Sequence, residues 1–280
     1  MRYDRRVRVA AAMLALAGCG RFGFAGQSDA PAGGDVSVQH DGPAHDAPSD
    51  SPRDAAGPDA FDQSVACMGF GVCDSFEAGT LDTALWRGNR ITIDSTHVHR
   101  GMYAAHVKNP ALAVGQGAIS QLGEDATLTG TTIPTTFYVR AWLYMPTLPA
   151  SQNHLELISV ESQAASSLGD YTFTYSNNSA LYTQEDQQAQ LTGVAPPTNT
   201  WFCIVMRITR STTAGSLALT SDVLPAITLN NVITDDNANP LHTVWIGMGY
   251  AGTNVGTAQP AMDTWIDDVI VDPNPLTCAD

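Results

Sequence analysis

The chain has 280 residues, with 13 Lys and Arg against 28 Asp and Glu, and a formal charge of −15. A surface this acidic repels nucleic acid and polyanions such as alginate or pectate unless cations bridge them, so a nucleic-acid partner is excluded and a neutral glycan fits better. There is no Gly-x-Ser-x-Gly elbow, no His-Glu-x-x-His and no phosphate loop, which removes the common hydrolase and nucleotide-binding classes.

Arg2, Arg5, Arg6 and Arg8 precede an apolar run through Ala12, Met13, Leu14, Ala15 and Leu16, which has the length of a secretory signal and is too short to span a bilayer. The following Leu16-Ala17-Gly18-Cys19 resembles the bacterial lipobox. That resemblance implies removal of residues 1–18, lipidation of Cys19 and a membrane partner through the lipid. Gly20 after the cysteine implies sorting to the outer membrane, on its periplasmic or extracellular face. Removing four Arg and one Asp with the signal leaves the mature chain near −18. Residues 19–66 are rich in Ala, Pro and Asp, as in Asp41-Gly42-Pro43-Ala44-His45-Asp46. With almost nothing apolar to bury and like charges repelling, they read as a disordered tether.

The folded domain is expected over residues 67–280. Besides Cys19, it holds Cys67, Cys73, Cys203 and Cys278, an even number that in an exported protein suggests two disulfides with three possible pairings. Strands are predicted at Arg90 to Ile93, Ala104 to Val107, Phe137 to Met145, Leu155 to Val160, Tyr171 to Tyr175, Trp201 to Thr209, Gly215 to Leu219, Thr243 to Gly249 and Trp265 to Asp272. Turns are read at Asn177-Asn178, Pro196-Pro197 and Asn230-Asn231. The run from Phe137 alternates: Phe137, Val139, Ala141, Leu143 and Met145 form a core face, and Tyr138, Arg140, Trp142 and Tyr144 the opposite one. Short strands with turns between them and no helical period predict an all-β fold, an antiparallel β-sandwich of the jelly-roll kind.

Four pieces, in this order, resemble the concanavalin A-like lectin and glucanase superfamily: Cys73-Asp74-Ser75-Phe76-Glu77-Ala78-Gly79 with Trp86 and Gly101-Met102-Tyr103-Ala104-Ala105, Tyr138-Val139-Arg140-Ala141-Trp142, Trp201-Phe202-Cys203-Ile204, and Trp245-Ile246-Gly247 with Trp265-Ile266-Asp267-Asp268-Val269. The opening Phe-Glu-x-Gly and closing Asp-Asp-Val recur in galactose-binding-like β-sandwiches, the alternative fold. In both groups the first and last strands are neighbours and a structural calcium often sits at that end, which implies Glu77, Asp267 and Asp268 as candidate ligands. Neighbouring end strands also favour a disulfide from Cys67 or Cys73 to Cys278.

A glycan site needs aromatic rings for sugar faces beside polar groups for hydroxyls. Tyr138, Arg140, Trp142 and Tyr144, with His154, Glu156 and Tyr171 from later strands, are expected to line one concave sheet and bind carbohydrate. His97, His99 and His106 read as surface residues. Two enzymatic alternatives exist. The laminarinase-like branch uses Glu-x-Asp-x-x-Glu, and Glu156 and Glu161 match its spacing, with a bulge needed to bring both to one face. Ile158 replaces the middle acid, which argues against a retaining glycosidase. A polysaccharide lyase needs a base beside a cation, for which Arg140, His154 and Tyr144 or Tyr171 are candidates. The third class is a non-catalytic adhesion or structural lipoprotein, distinguished from a lectin by whether the aromatic strand face is covered.

Overall fold

The computed structural model describes residues 72–125, 133–150, 153–162, 171–176, 178–183, 188–234, 241–253 and 257–279. Cys19, Cys67 and the expected tether lie outside them. Fifteen strands are present among the described residues. In chain order they are β1 Val72–Asp74, β2 Arg87–Asn89, β3 Ile91–Asp94, β4 Ala104–Asn109 and β5 Gly117–Asp125. Then come β6 Thr136–Tyr144, β7 His154–Ser162, β8 Tyr171–Ser176, β9 Asn178–Thr183 and β10 Gln188–Leu191. The series closes with β11 Trp201–Thr209, β12 Gly215–Ser221, β13 Ile227–Val232, β14 Leu241–Gly252 and β15 Met262–Asp272.

They form two antiparallel sheets. The eight-stranded sheet runs β13-β12-β11-β6-β15-β4-β3 with β1 joined to β15, and the seven-stranded sheet runs β10-β9-β8-β7-β14-β5-β2. First and last strands are neighbours: Val72 stands opposite Val271 and Cys73 opposite Ile270. The alternation of β6 holds, since Phe137, Val139, Ala141, Leu143 and Met145 are all fully buried. They pack between the sheets with Ile204, Met206 and Ile208 of β11 and Leu155, Leu157, Val160, Val244, Ile246 and Met248 of the other sheet. Each such side chain contributes about 1.5–3 kcal/mol by leaving water.

Two sequence readings change. Asn230 and Asn231 belong to β13 rather than to a turn. Asn230 pairs with Ser216, the register shifts there, and Asn231 takes φ 58°, so the Asn-Asn signal marks a β-bulge built on a left-handed residue. The favoured disulfide to Cys278 is also different, because Cys278 bonds Cys203. After Asp272 the chain turns back over the outer side of the eight-stranded sheet and crosses β6, where Arg140 Nη1 donates to the Thr277 carbonyl at 3.2 Å, before reaching β11. Pairing of the end strands therefore does not bring Cys278 to Cys73. Cys73 is itself disulfide-bonded, and its partner lies outside the described residues.

Candidate functional site

The residues expected to share one groove lie on two sheets. Tyr138, Arg140, Trp142 and Tyr144 are on β6 of the eight-stranded sheet, whereas His154 and Glu156 are on β7 and Tyr171 is on β8 of the seven-stranded one. Alternation tells which side chains share a face. It does not say that the chain crosses from one sheet to the other between β6 and β7.

The β6 face is also covered, by the segment from Ser95 to Tyr103 that joins β3 to β4. His97 stacks on Tyr144 with centroids 4.3 Å apart, and His99 stacks on Trp142 at 3.7 Å. Trp201 and Trp265 meet these rings edge-on. The C-terminal tail covers the rest: Arg140 is fully buried beneath it, and the Cys203–Cys278 bond pins it. The three histidines are thus packing residues rather than surface ones. His106, 7% exposed, stacks on Trp265 and has Asp94 at Nδ1 (2.6 Å) and Asp263 at Nε2 (2.8 Å).

The acids named as candidate calcium ligands anchor this strap. Glu77 accepts the N–H groups of Met102 and Tyr103 at 3.0–3.2 Å. Asp267 accepts those of His99 and Arg100 on Oδ2 and that of Asp268 on Oδ1. Asp268 takes His99 Nδ1 at 2.7 Å from within a bulge, at φ 47°. Calcium needs six to eight oxygens free to face it. Here the oxygens of Glu77 and Asp267 are turned to N–H donors, and the described residues assemble no group of three His, Cys, Asp or Glu suited to a metal. Burial, and then the neighbouring charge of Asp268, push the Asp267 carboxyl up to about 8 against the pull of its three N–H donors. Asp94 is held down at about 2: four hydrogen bonds, from the Thr96 hydroxyl and N–H, Trp265 and His106, outweigh its desolvation.

The seven-stranded sheet presents a different outer face. In β14 Val244, Ile246 and Met248 point into the core, which turns Thr243 and Trp245 outward. Trp245 pairs with Gly123 of β5 and Ser159 of β7, and Gly123 pairs with Arg87 of β2. One lateral row results. The Trp245 ring occupies the space that a Cβ on Gly123 would need, and the Arg87 guanidinium lies 4.7 Å over its centroid. Arg87 Nη2 donates to Thr243 Oγ1 at 3.2 Å. On the other side Trp245 Nε1 donates to Glu161 Oε2 at 3.1 Å, and Ser159 Oγ donates to Glu161 Oε1 at 3.0 Å.

β7 contains the bulge that the two-glutamate spacing required. Leu157 and Ile158 are both buried and the register shifts between Glu156 and Ile158, so His154, Glu156, Ser159 and Glu161 share the outer side. His154 Nε2 lies 3.2 Å from Glu156 Oε1. Glu156 and Glu161 remain about four residue steps apart, roughly 13 Å of strand, wider than the carboxyl pair of either glycosidase class. Arg87 and Trp245 were not among the site residues expected from sequence. The signal for Trp245 is its alternation with Val244, Ile246 and Met248.

No family model and no curated protein matches this sequence. Solved structures do match in fold. A cellulose-induced protein, Cip1, is 17% identical with a TM-score of 0.53, over 74% of this chain and 99% of that one. An endo-β-1,4-glucuronan lyase from the fungus Trichoderma reesei is 14% identical at 0.53, covering 70% and 93%. The alginate lyase Aly36B is 9% identical at 0.54, covering 74% and 98%. These are concanavalin A-like jelly rolls, and the chain shares that fold, rather than the galactose-binding-like alternative.

Proposed function

We propose that the protein is a lipid-anchored surface lipoprotein whose jelly roll binds a glycan on the outer face of the seven-stranded sheet, not on the β6 face. The Arg87–Trp245–Glu161 row carries this reading. It sets a partly buried indole between a cation and a carboxylate that fix its plane. Asn89 and Gln121, paired across β2 and β5 one step along, add amide donors and acceptors. An aromatic platform with a few fixed polar groups is what a sugar requires. The fold supports the same class, because two of the solved structures described above are named as polysaccharide lyases. The test is a glycan array, neutral and acidic, on the wild-type chain and on Trp245→Ala, with Trp142→Ala as control. Selective binding that Trp245→Ala abolishes and Trp142→Ala preserves is the expected result. Binding lost only in Trp142→Ala would return the site to the β6 face.

A lyase on the same face is the second reading, favoured by those names and by Arg87, a cation able to meet a uronate carboxylate. Elimination would require a base to take the proton beside that carboxylate, and His154 is the candidate among the described side chains of the face. Glu156 and Glu161 oppose it, since they add negative charge where a uronate must sit. The measurement is the ultraviolet absorbance of the unsaturated product on uronate polymers; growth of that absorbance, lost in Arg87→Gln, would establish it. Anchoring through Cys19 is read by metabolic labelling with a fatty-acid analogue, expected in the wild type and absent in Cys19→Ser.

A further inference from the structure

Strands β4, β6 and β12 run the same way, since β4 and β6 both lie antiparallel to β15, and β6 and β12 both to β11. In the other sheet β14 and β10 finish at the same end. The connections leaving this end are residues 110–116, 145–153, 192–200, 222–226 and 253–261. Together they hold one of the chain's 28 Asp and Glu, Asp222, and none of its 13 Lys and Arg. Asp222 is itself engaged, accepting the Cys203 N–H at 2.9 Å. Three of the connections are tied to one another: Leu112 pairs with Gln259, whose Oε1 accepts the Ala150 N–H at 2.7 Å.

The same end exposes apolar side chains. Among the described residues five large hydrophobic side chains are exposed, and four of them stand here: Val114, Val194 and Val223 in the connections and Leu191 at the finish of β10, each 43–54% exposed. The fifth, Met102, is on the strap. Charges begin one step into the strands, with Lys108 facing Asp263 across the β4–β15 ladder and His154 beside Glu156 where β7 opens. An uncharged, aliphatic centre within a charged rim is the composition of a protein–protein interface.

We propose that this end binds a second copy of the chain, end to end about a two-fold axis, with Val194 and Val223 in the contact. At a net charge of −15 two copies repel over most of their surface, and here they can approach without setting rows of carboxylates against each other. A membrane is the poorer occupant, because the five connections contain no Trp, Tyr, Lys or Arg, the residues that seat a protein at a bilayer surface. Val72 stands opposite Val271 near the far end of β15, so the described domain is entered away from this contact. Sheets of seven and eight strands, spaced about 4.8 Å within a sheet and about 10 Å between sheets, give an end of roughly 600 Å². Two such ends bury about 1,200 Å², the lower limit of a specific interface, which makes the pair reversible. The contact shares no residue with the Trp245 row and does not depend on that reading.

The test replaces Val194, Val223 or Met102 of the full chain by a photoreactive benzophenone amino acid and irradiates the protein in an uncharged detergent. Adducts are sized on a denaturing gel and their peptides identified by mass spectrometry. A self-adduct of twice the chain mass is expected from positions 194 and 223 and not from 102. Raising salt from about 0.01 M to about 0.1 M shortens the screening length from about 30 Å to about 10 Å and is expected to raise the yield about twofold or more, as repulsion between acidic copies weakens. Val194→Asp, read with the photoreactive residue at 223, is expected to lower the yield about tenfold, because each copy then brings a carboxylate into the contact. The proposal is overturned if 194 and 223 give no self-adduct, if they label detergent, lipid or another protein instead, or if 102 reacts as well as they do. A yield that salt fails to raise, or that Val194→Asp leaves unchanged, equally overturns it.

Discussion

His99 lies flat on Trp142, ring centroids 3.7 Å apart and planes 16° from parallel, while its Nδ1 meets Asp268 at 2.7 Å. One side chain thus joins a loop to two strands of the sheet beneath, and the aromatic face of β6 serves as the seat of a strap. His99→Ala removes both contacts. It is expected to cost about 1–2 kcal/mol and to change the Trp142 environment, measured by denaturant titration followed by tryptophan fluorescence.

The Trp245 ring depends on the absence of a side chain at Gly123. Gly123→Ala is expected to displace the indole from Glu161 and Arg87 and to weaken glycan binding at least as much as Trp245→Phe, with about 1–3 kcal/mol lost through overpacking. Binding titration and thermal melting of both variants check this. Unchanged binding in Gly123→Ala would remove Trp245 from the site.

The readable part of the site followed from local pattern. Alternation placed Phe137, Val139 and Leu143 in the core, because it is a property of a few adjacent residues; the bulge in β7 was only a condition for Glu156 and Glu161 to share a face. Sheet membership is not such a property. Nothing local distinguishes a β6–β7 hairpin from a crossover, so residues from opposite faces of the sandwich were grouped together. β5 escaped notice because Gly117, Ser120, Gln121 and Gly123 interrupt its apolar run. The covering of Trp142 and Arg140 was equally hidden: it rests on contacts more than a hundred residues apart, from Asp267 and Asp268 to His99 and from Arg140 to Thr277.

Asp267 makes the strap's anchorage depend on pH. Its carboxyl titrates near 8 in the fold and near 3.8 in the unfolded chain. Between those values the folded state holds the extra proton, so this group's contribution falls as pH rises from about 4 to 8, by at most about 1.4 kcal/mol per unit. Below 4 and above 8 it adds no slope. Asp267→Asn keeps one carbonyl acceptor and cannot ionise, so it is expected to lose part of the strap's anchorage at low pH and to melt with a flatter dependence between pH 5 and 8. Thermal melting across that range compares the two.

The Cys203–Cys278 bond closes a separation of 75 residues. In the chain-entropy account such a loop is worth about 4 kcal/mol. Cys278→Ala keeps Cys203 as a small buried thiol and is expected to lower stability by about 2–4 kcal/mol. It should also raise proteolysis after Arg140, whose cover is the tail. Limited trypsin digestion reads the second effect.

The same tail determines which side of the molecule tolerates additions. Its last residues are fastened to the sheet that the strap already occupies, opposite the Trp245 row. A fluorescent protein or affinity handle appended after Asp280 would follow the tail onto the occluded side and leave the face that carries Trp245 unobstructed. Display formats should therefore use the C-terminus.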